Sequence, residues 1–333
     1  MTPAGKAPVR CLILGEKPPP DLELIRESVP EQSVELVQPE PGVDLSRLGE
    51  FDVIWRIFPG KVDGVARDQL EEALGSHPEV RWVHTASAGI DGLGQLFQGR
   101  PQTRLTHSAG VTAIPISEFV VGCLLQHCKR TAELEQQQRQ RHFAQLQLRE
   151  LRDLRVVLYG LGAIGSAVAH RLAAFECHLV GVRRSLDRGG PPEVAQLFGP
   201  PDLARACSGA DALVVAAPLT PQTERSVGAR VLAPLAEGSV VVNVARGGLV
   251  DEKALLAGLL ARRPAAAYLD AFAEEPLPAG SPLWTTPGVH VSPHISWSSA
   301  HLGRRSSELF AEQLRRWVAG ETLLNQADPR EGY

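Results

Sequence analysis

The chain has 333 residues, 44% of them hydrophobic and 22% charged, which suits two ordinary globular domains at roughly 100–200 residues each. Its formal net charge of -4 provides no basic footprint for nucleic acid or an anionic membrane, and no apolar run reaches the ~18 residues of a membrane span. The five cysteines, Cys11, Cys123, Cys128, Cys177 and Cys207, include no Cys-x-x-Cys pair, so neither a metal site nor a disulfide framework is expected and a reducing cytoplasm fits.

In chain order, Met1 to Arg10 carries Pro3 and Pro8 and lacks the apolar core of a signal peptide. Strands are predicted over Val9–Leu14, Val53–Phe58 and Arg81–Thr85, a helix over Asp68–Leu74, and loops at Pro18–Pro20 and Pro39–Pro41. That alternation reads as an α/β unit. One long helix is predicted from about Pro115 to His142. Its first half carries Ile116, Phe119, Val120, Val121, Leu124 and Leu125 and reads as buried; its glutamine-rich second half reads as a solvated helix or loop.

A second α/β series starts at Arg155. Strands are predicted over Arg155–Tyr159, His178–Val182, Ala212–Ala216, Ser239–Val244, Ala266–Leu269 and Val289–Ser292, with helices such as Asp251–Leu260 between them. These strands are almost continuously apolar, as a parallel sheet covered on both faces requires. An amphipathic helix over Ser306–Ala319 precedes a short tail, and no solenoid repeat is present.

Gly160-Leu161-Gly162-Ala163-Ile164-Gly165 follows the Val156-Val157-Leu158 strand and opens a helix. That is the context of a dinucleotide fingerprint: Gly160 for the tight turn, Gly162 for close approach of the pyrophosphate, Gly165 for helix–strand packing. The helix N-terminus adds N–H groups and a partial positive charge. An acidic residue for the ribose 2′-OH is expected after the next strand, but Arg183, Arg184 and Ser185 stand there. Two guanidinium groups and a hydroxyl suit a 2′-phosphate that a carboxylate would repel. One charge-assisted contact of roughly 1.5–3 kcal/mol corresponds to at least about a tenfold preference for NADP, with NAD still possible.

Three later segments end near predicted strand termini: Asn243-Val244-Ala245-Arg246-Gly247-Gly248, then Leu269-Asp270-Ala271-Phe272 leading to Glu274-Glu275-Pro276, then Ser292-Pro293-His294-Ile295. With these, Ser87-Ala88-Gly89-Ile90-Asp91, Gly110 to Phe119, Asp211 to Thr220 and Leu323 to Tyr333, the chain resembles the D-2-hydroxyacid dehydrogenase family from about Phe51 onward. The resemblance implies Arg246, Glu275 and His294 as the catalytic set. Histidine suits proton delivery to the alkoxide left by hydride transfer. Glu275 would hold the imidazole and favour its protonated form, and Arg246 would bind the substrate carboxylate and polarise the carbonyl.

The same resemblance implies that Asp270 faces the nicotinamide, that Pro218, Val244 and Ala245 line the cofactor site with Ala163 and Ile164, and that Ala88 and Gly89 offer backbone N–H groups to the substrate carboxylate. Arg56 is a further candidate for that carboxylate. The implied fold is two Rossmann-like doubly wound parallel-sheet domains with the active site in the cleft between them. Residues 1–107 and 300–333 would form the substrate domain and 108–299 the NAD(P)-binding domain, with hinge closure excluding water. A homodimer acting on a small 2-keto or 2-hydroxy acid follows from the same family, without a C-terminal regulatory domain.

Two departures stand out: Glu176-Cys177 occupies a turn where the family often has glycine, and the segment before Arg155 lacks the tryptophan common there. Trp297 after the Pro-His-Ile motif suggests the glyoxylate or hydroxypyruvate reductase subgroup. A second reading stays open: a dinucleotide-sensing interaction protein like the transcriptional corepressors that share this fold and retain these residues. Turnover with keto acids separates the two.

Overall fold

The computed structural model describes residues 7–15, 19, 21–38, 44–57, 67–90, 97, 100 and 102–327, with the side chains of 67–71 excepted. The expected loops at Pro18–Pro20 and Pro39–Pro41, strand residue Phe58, Asp91 and the tail residues 328–333 lie wholly or partly outside these. The chain divides into two compact units, 1–111 with 299–333, and 112–298.

The first unit contains β1 (Val9–Leu14), α1 (Leu22–Glu27), β2 (Val34–Val37), β3 (Val53–Arg56), α2 (Arg67–Ser76), β4 (Trp82–Thr85) and β5 (Arg104–His107). The strands form one parallel sheet in the order β2-β1-β3-β4-β5. Successive side chains pack on opposite faces, as the period of two demands: Leu12, Leu14 and Ile54 on one, Cys11, Ile13, Val53 and Trp55 on the other. The second face is closed by a helix from the far end of the chain, numbered below as α9, whose Phe310 stacks on Trp55 with ring centroids 4.1 Å apart.

The second unit opens with α3 (Ala113–Cys128) and α4 (Thr131–Gln140). It continues with β6 (Arg155–Tyr159), α5 (Ala163–Ala173), β7 (His178–Val182), β8 (Gln196–Phe198), α6 (Leu203–Ala206), β9 (Ala212–Val215), α7 (Ala229–Leu232), β10 (Val240–Asn243), α8 (Glu252–Leu260), β11 (Ala266–Leu269) and β12 (Val289–Val291). The chain then returns to the first unit with α9 (Leu302–Ala319). The second unit's sheet is parallel throughout, in the order β12-β11-β10-β9-β6-β7-β8. Its direction of winding reverses between β6 and β9, and such a switch point opens a crevice at the strands' carboxyl ends. Val157, Leu213, Val241 and Ala267 pack on one face, and Val156, Val214, Val242 and Tyr268 on the other. This two-sided burial is why these strands read as unbroken apolar runs.

The helix expected over Pro115–His142 is instead two helices, α3 and α4, separated at Lys129 and Arg130, with Arg130 in the left-handed region at φ 51°. The cause is tertiary. The Cys128 carbonyl accepts the Arg149 N–H at 3.1 Å, and Lys129 Nζ donates to the Arg149 carbonyl at 2.8 Å. The returning segment thus takes contacts at the end of α3. α4 buries none of its residues, in line with its glutamine-rich composition. The turn at Glu176 forms without glycine, Glu176 adopting φ 60°. α9 begins at Leu302, about a turn before the expected Ser306, and stops at Gly320 in a left-handed cap. Among the described residues no helix is long and apolar enough to cross a membrane.

Candidate active site

The glycine loop leaves β6 at the switch point and enters α5. Gly160 has φ 102°, and a Cβ there would stand 2.5 Å from the Ala217 nitrogen, so the loop after β9 packs directly on it. A Cβ on Gly165 would meet the Gly160 carbonyl oxygen at 1.9 Å, so only glycine lets α5 start this close to the turn. Val168, Ala169 and Leu172 bury the helix's inner face at helical spacing. Gly162, the N-cap, has nothing within 4 Å of its Cβ position and no side chain capping the helix. With Gly162 and Ala163 exposed and Ile164 half-buried, the first N–H groups of α5 face open space, the arrangement a pyrophosphate needs.

Arg183, Arg184 and Ser185 follow β7 directly. Arg183 Nη1 donates to the Gly189 carbonyl at 2.5 Å, and its backbone N–H donates to Phe198 O. Arg183 therefore ties its own loop together, whereas the Arg184 side chain is exposed. Pro218 is exposed after β9, and its carbonyl accepts from Thr223 Oγ1 at 2.7 Å. Val244 and Ala245 are buried beneath the turn that follows β10.

That turn is built by a residue the sequence reading did not single out. Asn243, with no exposed surface, donates through Nδ2 to the Arg246 carbonyl at 3.1 Å and accepts the Ala245 N–H through Oδ1 at 3.1 Å. The amide clamps both sides of the turn and presents Arg246, which is half-buried. The signal was available: an amide closes an otherwise apolar Val-Val-Val strand, and a buried amide needs partners. Next along, a Cβ on Gly247 would lie 1.8 Å from the Phe272 carbonyl carbon. The Arg246 turn and the segment after β11 are thereby pressed backbone to backbone.

That segment carries Glu275. Its Oε1 accepts the Phe272 N–H at 2.9 Å, and its Oε2 lies 2.8 Å from His294 Nδ1. One oxygen orients the carboxylate and the other orients the imidazole, so Nε2 is the ring nitrogen left to face a substrate. His294 has φ 51°, a left-handed conformation that a non-glycine residue holds only under constraint. Asp270 supplies the constraint. Almost wholly buried, its Oδ1 accepts from the Ile295 N–H at 2.9 Å and from Ser292 Oγ at 2.6 Å, and its Oδ2 accepts from the Ser296 N–H at 3.0 Å. Trp297 adds a further tie, Nε1 donating to the His294 carbonyl at 2.7 Å.

The second unit therefore gathers the glycine loop, Arg246, Asp270, Glu275 and His294 at the carboxyl ends of its strands. Arg56, Ala88 and Gly89 belong to the first unit. Arg56 is buried at the end of β3. In the loop after β4, the Ser87 carbonyl accepts from Ser108 N at 3.0 Å, and the Gly89 N–H donates to Ser87 Oγ at 3.2 Å. No thiol joins this chemistry: burial pushes all five upward, Cys123 and Cys207 to about 12 and Cys177 to about 11, so none is an appreciable thiolate at neutral pH. Among the described residues no group of three or more His, Cys, Asp or Glu is placed to hold a metal ion.

Comparison with known proteins bears on the same residues. The family model described as D-isomer specific 2-hydroxyacid dehydrogenase, NAD binding domain, matches residues 121–296, a span that contains the glycine loop and the Arg246, Asp270, Glu275 and His294 segments. The chain is 29% identical over 274 residues to glyoxylate/hydroxypyruvate reductase A of Yersinia enterocolitica, covering 79% of this chain and 85% of that protein. A crystal structure of a D-isomer specific 2-hydroxyacid dehydrogenase from Xanthobacter autotrophicus, in complex with NADPH and MES, superposes with a TM-score of 0.81 at 29% identity, covering 98% of this chain and 100% of that one. A crystal structure of an NADPH-dependent glyoxylate/hydroxypyruvate reductase from Sinorhizobium meliloti, with NADP and malonate, matches with a TM-score of 0.73 at 27% identity, covering 98% of each chain.

Proposed function

This chain belongs to the D-isomer specific 2-hydroxyacid dehydrogenase family, and on that premise we propose that it reduces small 2-keto acids of the glyoxylate and hydroxypyruvate type with NADPH. It is an NAD(P)-dependent oxidoreductase of 2-hydroxy acids. The substrate class rests on the relatives, which are named as reductases of those acids. The single observation that carries the chemistry is the Glu275–His294 contact at 2.8 Å at the strand ends beside the glycine loop.

The dinucleotide fits the residues present. Gly160, Gly162 and Gly165 leave the N-terminus of α5 open for a pyrophosphate, and Arg183, Arg184 and Ser185 supply cations and a hydroxyl where a 2′-phosphate needs them. The bound cofactor supplies the hydride. His294 Nε2 delivers the proton to the keto oxygen as it becomes an alkoxide, and Glu275 holds the ring and balances the imidazolium charge. Arg246 binds the carboxylate and polarises the carbonyl with its planar donors. The Ala88 N–H, the Gly89 N–H as it exchanges Ser87 Oγ for a carboxylate oxygen, and Arg56 provide the remaining carboxylate contacts. Asp270 fixes the His294 loop and lines the nicotinamide side of the site, and Pro218, Val244 and Ala245 line the rest of the cofactor groove. Residues 1–107 with 300–333 act as the substrate domain and 108–299 as the cofactor domain.

The protein works as a homodimer in the cytoplasm. α4 buries none of its side chains, and Phe143 just beyond it is fully exposed, at 101% of its reference surface; a second copy covering this arm would remove that apolar surface from water. The free cysteines suit a reducing compartment. No observation favours the interaction-protein reading.

Initial rates with NADPH and NADH against glyoxylate, hydroxypyruvate, pyruvate and bulkier 2-keto acids test the proposal. Turnover favouring NADPH and the small acids is the expected result. Cofactor binding with no turnover of any keto acid would refute it.

A further inference from the structure

Beneath the Ser87–Gly89 loop, the first unit buries a chain of polar side chains with no role in the chemistry above. Trp82, His84 and Thr106 have no exposed surface beyond a trace, and neither do Ser108 and Thr85. Trp82 Nε1 donates to Thr106 Oγ1 at 2.8 Å. Thr106 Oγ1 lies 2.7 Å from His84 Nδ1. His84 Nε2 lies 3.1 Å from Ser108 Oγ, which donates to the Thr85 carbonyl at 3.0 Å.

The ends of this chain set its direction. An indole N–H can only donate and a carbonyl can only accept. The Ser108 proton therefore goes to Thr85 O, so the Ser108 oxygen accepts from His84 Nε2–H. His84 Nδ1 is then an acceptor for the Thr106 hydroxyl, whose oxygen accepts the indole N–H. Each proton has one place, and His84 is neutral, its imidazole pushed down to about 3 by burial, with His107 adding to the shift.

The chain ends where β4 passes into the loop. Thr85 is the last residue of β4, and its carbonyl points the backbone into Ala86. Ser108 grips the loop a second time, its backbone N–H donating to Ser87 O at 3.0 Å. Ala86 N–H is held by Arg56 O at 2.8 Å. Apolar side chains of similar shape would fill the same core without the desolvation cost of four polar side chains. What only the polar chain supplies is a fixed orientation of the Thr85 carbonyl, where β4 enters the turn.

We propose that Thr106, His84 and Ser108 are positioning residues that hold the Ser87–Gly89 loop in the shape that receives the substrate carboxylate. This rests on the reading of that loop as a carboxylate site. Ser108→Ala removes the link between His84 and Thr85. KM for hydroxypyruvate should rise about tenfold with kcat within twofold of wild type, the pattern of lost uniform binding. NADPH affinity, followed by fluorescence, should not change, because the glycine loop belongs to the other unit. Thr106→Val should act in the same direction, and Thr106→Ser, which keeps the hydroxyl, should retain the wild-type KM. If Ser108→Ala does not fold, the valine–serine pair at 106 makes the same comparison. Gly89→Pro, which deletes an N–H of the loop itself, separates the two levels. A raised KM in Gly89→Pro with KM within twofold of wild type in Ser108→Ala and Thr106→Val, whatever their melting temperatures, overturns the inference and spares the loop. An unchanged KM in Gly89→Pro overturns the carboxylate reading of the loop and the inference with it.

Discussion

Asp270→Asn alters almost no volume and turns one acceptor oxygen into a donor nitrogen. The native carboxylate accepts from three donors of the His294 loop: the Ile295 and Ser296 N–H groups and the Ser292 hydroxyl. Whichever way the amide turns, an NH2 group meets a donor. In its better orientation it loses the 3.0 Å contact with Ser296 and converts the other two from charge-assisted to neutral bonds. One lost charged hydrogen bond costs about 1.5–3 kcal/mol, and each weakened one about 1 kcal/mol, so the loop loses roughly 3–5 kcal/mol of local restraint. That exceeds the ~1–2 kcal/mol of strain in a left-handed residue, and His294 at φ 51° is then free to relax. A displacement near 1 Å at the proton donor corresponds to about a hundredfold loss in rate. The assay is steady-state kcat with NADPH and hydroxypyruvate, with circular dichroism confirming the fold. A folded Asp270→Asn enzyme with kcat within threefold of wild type would refute the view that Asp270 acts through the His294 loop.

His294→Ala should bind NADPH with wild-type affinity and lose about two to four orders of magnitude in kcat, the usual contribution of a positioned acid; wild-type turnover would remove His294 from the proton transfer. Arg184→Ala should cut the preference for NADPH over NADH by about tenfold, read from the ratio of kcat/KM for the two cofactors, and an unchanged ratio would leave the 2′-phosphate to other groups. His84 makes the first unit acid-sensitive. Its imidazole is neutral in the fold down to about pH 3, while the unfolded chain takes up a proton below about pH 6.5, so unfolding binds protons between those values and stability falls as pH drops through that window. The loss is about 2 kcal/mol from pH 6.5 to pH 5, and on the order of 5 kcal/mol by pH 3. Denaturation curves at pH 7.5 and 5.0, with the His84 ring followed by NMR, check it; a ring that titrates near pH 6.5 in the folded protein would contradict it.

Much of the architecture is legible in the sequence. Strands buried on both faces have to be apolar throughout, so Arg155–Tyr159 and Ala266–Leu269 stand out as runs. The glycine loop announces itself because backbone packing leaves no room for Cβ at Gly160 and Gly165. The edge strand β8, the four-residue, half-exposed edge strand β2 and the mostly polar β5 gave no comparable signal. Gln196–Phe198 is only three residues long and partly exposed, and Arg104–His107 mixes polar and apolar side chains. The break between α3 and α4 was equally hidden, since the helix stops where Arg149, far along the chain, reaches Cys128.

For the site, the sequence alone determined which side chains of chemical use lie at strand ends: Arg246, Asp270, Glu275 and His294, in an order that carries the family resemblance. Their type and spacing are local properties and survive without coordinates. Which donor meets which acceptor was decided only by the tertiary structure, because hydrogen bonds form across segments that the chain keeps apart. Glu275 finds His294 nineteen residues on, Asp270 grips a loop about 25 residues away, and Asn243 folds back on its own turn. His84 becomes part of a buried, directional chain only once β5 and the residues after it are laid beside β4.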